Sequence, residues 1–137
     1  MATQVQMITV SPLHRVFYAD SLFEALVGLA LIIDAEPIAR LLGLTAPIAG
    51  IEAPSLLREL GFTVLVVAAI LFAMARQQPI PQLQARSVAV LNAAWVIGSD
   101  LLLLLAWNSF SAEGRWIIIL LACPVAVLAY LEWRFAQ

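Results

Sequence analysis

Few residues in this sequence can do chemistry, and those that can stand inside apolar runs. Asp20 and Glu24 interrupt the first run, Arg58 opens the second, and Asn92, Trp95, Ser99 and Asp100 occupy the third. Asp100 is the only charge between Ser87 and Ala112, a stretch long enough to cross a bilayer. A carboxylate at the centre of a membrane helix costs roughly 2.5–3.5 kcal/mol on insertion scales, so such a group usually faces a bundle interior, a partner or a wet cavity. Spacing limits which of these groups can meet. Asp20 and Glu24 are four apart and share a helix face that Gly28 extends. Asn92, Trp95, Ser99 and Asp100 form a connected arc of one helix.

With the ~1.5 Å rise per helical residue, heights follow from the Arg15/Arg76/Arg86 side. Asp20 lies about 8 Å in, Asn92 about 9 Å, and Glu24 and Trp95 about 14 Å; Asp100 lies about 21 Å in and Arg58 about 27 Å. If both stripes turn inward, the bundle holds a ladder of polar groups between the leaflets. As a functional array this is a ligand or proton pathway. Glu24 is then its deepest carboxylate, beside Asn92 and Trp95 and able to exchange a proton with a substrate. As a structural array, Glu24 hydrogen-bonds Asn92 across two helices, an interaction of about 0.6 kcal/mol that holds register. Arg58 stands about one turn above Asp100, within reach of an extended guanidinium, so an Arg58–Asp100 pair is expected. The alternative is contact between Arg58 and an anionic headgroup or carboxylate. Asp20 is shallow and is expected to meet water or Arg86. The candidate ligand-binding set is Glu24, Arg58, Asn92, Trp95 and Asp100, with Asp20 and Ser99 secondary.

Composition says what must position these groups. Apolar residues make up 64% of the 137 positions and charged residues 12%, where a soluble domain is about half apolar and a quarter charged. A single helical bundle in lipid fits that balance. The net charge of −2 provides no clustered basic face for nucleic acid. The one cysteine, Cys123, cannot form an internal disulfide, and the one histidine, His14, precedes the first apolar run. Dithiol chemistry and bis-histidine haem ligation within one chain are excluded, and no metal-ligand spacing appears. No nucleophile–base pair can be assembled either, so the reading is non-enzymatic.

Four spanning helices are predicted, at about 15–33, 55–75, 87–107 and 115–135, each near the ~20 residues that a bilayer core requires. Residues 1–12 read as a short polar tail. A cleaved leader is not expected, because Asp20 and Glu24 break the first apolar stretch and no A-x-A site follows promptly. The Asp34–Pro54 connection contains Glu36-Pro37-Ile38-Ala39-Arg40-Leu41-Leu42-Gly43, with a proline suited to a first turn and a glycine suited to a stop. A short interfacial helix is expected there. The other links are short, which favours an all-α, up-down-up-down bundle with antiparallel neighbours. Arg15, Arg76, Arg86 and Arg134 on one side against Arg40, Arg58 and Arg115 on the other tips both termini to the cytoplasm. So small a bias leaves room for antiparallel dimers. Trp107 and Trp116 mark one interface and Tyr130 and Trp133 the other. Pro124 should bend the fourth helix. Gly61, Gly98, Ala68, Ala69, Ala93 and Ala94 read as close helix contacts.

Four phrases occur together along the chain: Asp20-Ser21-Leu22-Phe23-Glu24 with Gly28, then Leu41-Leu42-Gly43-Leu44, Leu57-Arg58-Glu59-Leu60-Gly61 and Asn92-Ala93-Ala94-Trp95. As a set they resemble bacterial four-helix membrane proteins of DoxX-like layout. The resemblance implies small subunits or partners of membrane redox systems, in some members linked to quinone-dependent sulfur oxidation. It carries no catalytic residue to this chain, which lacks paired cysteines and membrane histidines.

The sequence therefore predicts a bacterial inner-membrane bundle with an inward polar pocket. That pocket would bind a small amphipathic or lipid-like molecule, a quinone or lipid among them, or the chain would serve as an accessory subunit of a membrane complex. The runner-up is a proton-coupled small-molecule transporter working as a homodimer. No other cofactor and no nucleic-acid partner is expected.

Overall fold

A computed structural model describes residues 11–137, and the stretch read as a polar tail falls, for residues 1–10, outside them. Five α-helices follow in order: α1 (Pro12–Ile33), α2 (Ala35–Leu42), α3 (Ala53–Ala75), α4 (Gln82–Leu105) and α5 (Ala112–Phe135). A single 3-10 turn, Trp107–Ser109, joins α4 to α5, and there is no strand among the described residues. Four of the helices, all but α2, are long and apolar enough to cross a membrane. In each, only 22–28% of the most apolar stretch is buried within the protein, so the outward faces are hydrocarbon-like. In water such faces would be an aggregation surface; in lipid they are the solvated side. The described residues are all-helical and have the make-up of a multi-pass membrane protein.

Every spanning helix starts earlier than the apolar window suggests. Pro12 and Pro54 sit in the first turns of α1 and α3, where a missing N–H costs nothing. The helix α4 begins at Gln82, just after Pro81. A hydropathy window stops at Arg86, but backbone hydrogen bonding continues through the polar turn before it.

Glycine sets two close approaches. A Cβ on Gly28 would lie 2.9 Å from the Gly61 carbonyl oxygen, and one on Gly61 would lie 2.7 Å from that of Gly28. The backbones of α1 and α3 therefore touch where two side chains are absent, as in small-residue membrane crossings. At the far end Gly43 closes α2 with φ 81°, a left-handed cap. Ser111 then ties α2 to α5. Its N–H donates to the Leu42 carbonyl at 3.0 Å, its hydroxyl donates to the Leu41 carbonyl, and the Ser111 Oγ accepts from the Gly114 N–H at 2.9 Å. Ala49 and Gly50, both at positive φ, make a tight turn between Ile48 and Ile51, whose backbones exchange two hydrogen bonds.

The pairing of helices is uneven. The helix α1 packs most extensively on α3, and α4 on α5, while α1 against α5 joins the two pairs. His14 Nε2 meets the Gln77 carbonyl at 2.7 Å and Gln82 Nε2 donates to the Ala136 carbonyl at 2.9 Å, so α1 starts beside the end of α3 and α4 starts beside the end of α5. Two apolar clusters fill the interior. Phe17, Leu71, Ile80 and Val88 anchor one near these termini; Leu42, Leu57, Leu103 and Phe110 anchor the other. The expected small-residue contacts divide accordingly. Gly61 and Ala68 are buried, whereas Ala69, Ala93, Ala94 and Gly98 lie on the outer surface. Gly98 has open space around it.

Candidate functional site

The interior polar centre is built on three helices. On α4 the buried stripe Ala85, Val88, Ala89 ends at Asn92. On α5 the stripe Ala122, Val125, Ala129 leads to Glu132. On α1 Leu13, Val16 and Phe17 precede Asp20. Each polar residue thus occupies a position that helical periodicity turns inward.

Asn92 Nδ2 donates to Asp20 Oδ2 at 2.9 Å and to Glu132 Oε2 at 3.0 Å. Asp20 and Glu132 are both 0% exposed. Their second oxygens, Asp20 Oδ1 and Glu132 Oε1, are buried without a hydrogen-bond partner. Beside the centre, the Ser21 hydroxyl donates to the Ala68 carbonyl at 2.9 Å and fastens α1 to α3. A small cleft of about 130 Å³ between α3 and α4, walled by Val67, Ile70, Leu71, Val88 and Leu91, reaches inward to Asn92.

This arrangement corrects the expected one in several places. Asn92 bonds Asp20, not Glu24. The heights of about 8 Å and 9 Å already place Asp20 level with Asn92, while Glu24 stands a turn away and is half-buried. Asp20 does not meet water or Arg86; the Arg86 guanidinium lies 5.4 Å from the centroid of the Trp133 ring. Arg58 does not pair with Asp100. Its guanidinium meets Glu36 of α2 at 3.6 Å, because α2 brings a carboxylate to the end of α3 that Arg58 occupies. Asp100 is exposed, as is Trp95. The Ser99 hydroxyl donates to the Trp95 carbonyl at 2.9 Å, within its own helix. Of the five leading candidates, Asn92 alone belongs to the buried centre. The polar ladder does not assemble.

Glu132 is the residue that sequence reasoning missed. It stands three residues from the end of α5, where a glutamate is naturally read as an interface group. The available signal was its spacing from Ala129, Val125 and Ala122, a small-residue inner stripe that ends on a carboxyl.

A groove of about 380 Å³ lies elsewhere, between α4 and α5. Ala89, Ala93, Ala126 and Ala129 leave the room, and Tyr130 and Trp133 stand toward the α5 end. Cys123 is a free, exposed thiol on α5, and among the described residues no group of three or more His, Cys, Asp or Glu is placed to hold a metal. Comparison with family models, curated proteins and solved structures returned no match to this chain.

Proposed function

We propose that this chain is a small multi-pass protein of the bacterial inner membrane that binds an amphipathic or lipid-like molecule, alone or as the accessory subunit of a larger complex. The reading includes an up-down-up-down course, α2 lying in the interface, and both termini on the cytoplasmic side. The pairing of α1 with α3 and of α4 with α5 at their opposite ends supports the course. The exposed Glu36, Arg40 and Leu41 beside buried Ala35, Ala39 and Leu42 support an interfacial α2. The DoxX-like layout belongs to the same reading.

The observation that carries the function is the α4/α5 groove. Its walls are apolar and alanine-lined, and it ends at Tyr130 and Trp133, residues that favour the headgroup level. An acyl or isoprenoid chain, as in a lipid or quinone, would lie along the alanines with its polar head beside those rings. The occupant thus sits in an apolar groove rather than in a pocket lined by acids. Mass spectrometry of an organic extract of the protein purified in mild detergent should find a retained molecule of this class. The groove-filling variants Ala93→Phe and Ala126→Phe should lose it. A wild-type protein that carries nothing, or filled variants that retain as much, would remove the reading.

A second reading, a proton-coupled transporter of small cationic molecules working as a dimer, is favoured by the buried Asp20–Asn92–Glu132 centre and the cleft that reaches it. Uptake into proteoliposomes driven by a pH gradient should then disappear in Glu24→Gln and in Glu132→Gln. Unchanged uptake in both excludes it.

A further inference from the structure

We propose that Asp20 and Glu132 hold one proton between them against the amide of Asn92, making this centre a buried proton-binding site. The inference depends on neither reading of the function. It rests first on hydrogen-bond stoichiometry. An amide NH2 has two hydrogens, and here one goes to Asp20 Oδ2 and the other to Glu132 Oε2. Asp20 Oδ1 and Glu132 Oε1 are left buried and without a donor. Both residues are 0% exposed, so bulk water does not reach these oxygens.

Among the described residues no cation pairs with either carboxyl. On α1 the nearest charged residues in sequence are Glu24, another acid, and Arg15, which is exposed. On α4 Arg86 is engaged over the Trp133 ring. On α5 Arg134 donates to the Tyr130 hydroxyl at 3.2 Å. The α3 face beside the centre offers the Ala68 carbonyl, already taken by Ser21, and the apolar side chains around it. Two ionised carboxylates on one amide would be uncompensated like charges in a low dielectric, an arrangement that proteins avoid.

One proton resolves the mismatch. It turns one carboxyl into a donor, supplies the missing hydrogen bond across the pair, and leaves a single negative charge that the two groups share. Such a pair titrates as a unit rather than as two independent acids. A metal ion fits less well. It would find only two free carboxyl oxygens, and Asn92 turns its NH2 donor toward the acids instead of its carbonyl. Glu24, one turn along the same face of α1, is the neighbouring carboxyl to which the proton could pass.

Infrared difference spectroscopy of the full chain in lipid bilayers tests the proposal through the carbonyl stretch of a protonated carboxyl. Wild-type protein at neutral pH should show that band, and Glu24→Gln should leave it in place. In a background that also carries Glu24→Gln and Asp100→Asn, Glu132→Gln and Asp20→Asn should each abolish it, because the new amide supplies the hydrogen and the remaining carboxyl ionises. Glu132→Gln, which keeps the shape of the protonated acid, should also unfold within a few degrees of wild type and so serves if Asp20→Asn fails to fold. A wild-type spectrum without the band overturns the proposal, as does a band that survives Glu132→Gln in that Glu24→Gln, Asp100→Asn background. A melting temperature that rises with sodium but not with choline would put a metal ion there and overturn it equally.

Discussion

Removing the Asn92 side chain deletes two hydrogen bonds at once and leaves two buried carboxyls without their donor. Interhelical bonds in membranes average about 0.6 kcal/mol and reach about 1.7, so Asn92→Leu should cost about 1–3 kcal/mol in an unfolding titration in detergent. The same substitution separates α4 from both α1 and α5, since the two bonds run to different helices. Arg58→Ala and Asp100→Asn belong to another class. The Arg58–Glu36 pair leaves its side chains 42% and 65% exposed, and solvated pairs contribute about 0–1 kcal/mol. Asp100 makes no ion pair among the described residues, so its neutralisation should leave stability unchanged or raise it. If Asn92→Leu proved as mild as these two, the centre would have no structural role.

The four spans were legible at the level of the helix, because length and hydropathy are set by the bilayer and not by neighbours. Their ends were less so, since a polar first turn such as Gln82–Arg86 is helical without being apolar. The small side chain marked Gly61 correctly as a close contact, though not its partner Gly28, which was read only as extending a polar face, and the same logic failed for Gly98. A small residue reports a close approach only when another backbone is there to approach it. Substitution should separate the two kinds. Gly28→Ala places a Cβ 2.9 Å from the Gly61 carbonyl oxygen. Overpacking of this sort costs about 1–3 kcal/mol. Gly98→Ala meets nothing within 4 Å and should gain about 0.5–1 kcal/mol from the loss of backbone freedom in the unfolded chain. Ser111→Ala removes both the cap of α5 and the side-chain tie to α2, and should cost about 0.5–2 kcal/mol. Thermal midpoints of the three variants in one detergent give the ranking directly.

For the molecule as a whole, the polar centre was misread because helix pairing is a tertiary fact. Heights along the chain put Asp20, Asn92 and Arg58 at their levels, but which helix stands beside which decides their partners. Here α1 lies on α3 and also touches α5. The pairing of α4 with α5 brings Glu132 to Asn92, and α1 against α5 adds Asp20, while Trp95 and Asp100 are turned outward. The outward faces make a further prediction about how the protein sits in lipid. Cys123, the single cysteine, is exposed and stands about 16 Å along α5 from Ala112, close to the middle of a hydrocarbon core about 30 Å thick. A thiol reacts as thiolate, which hydrocarbon does not stabilise. In proteoliposomes Cys123 should therefore resist a charged, membrane-impermeant maleimide at neutral pH and become reactive once detergent admits water. In a Cys123→Ser background, cysteines at Gln78 and Asn108, both in exposed links, should label from opposite sides of inside-out and right-side-out vesicles. If both label from the same side, α4 does not cross. Rapid labelling of Cys123 in intact vesicles would place the middle of α5 in water, and the outer apolar faces would then require a protein partner instead of lipid.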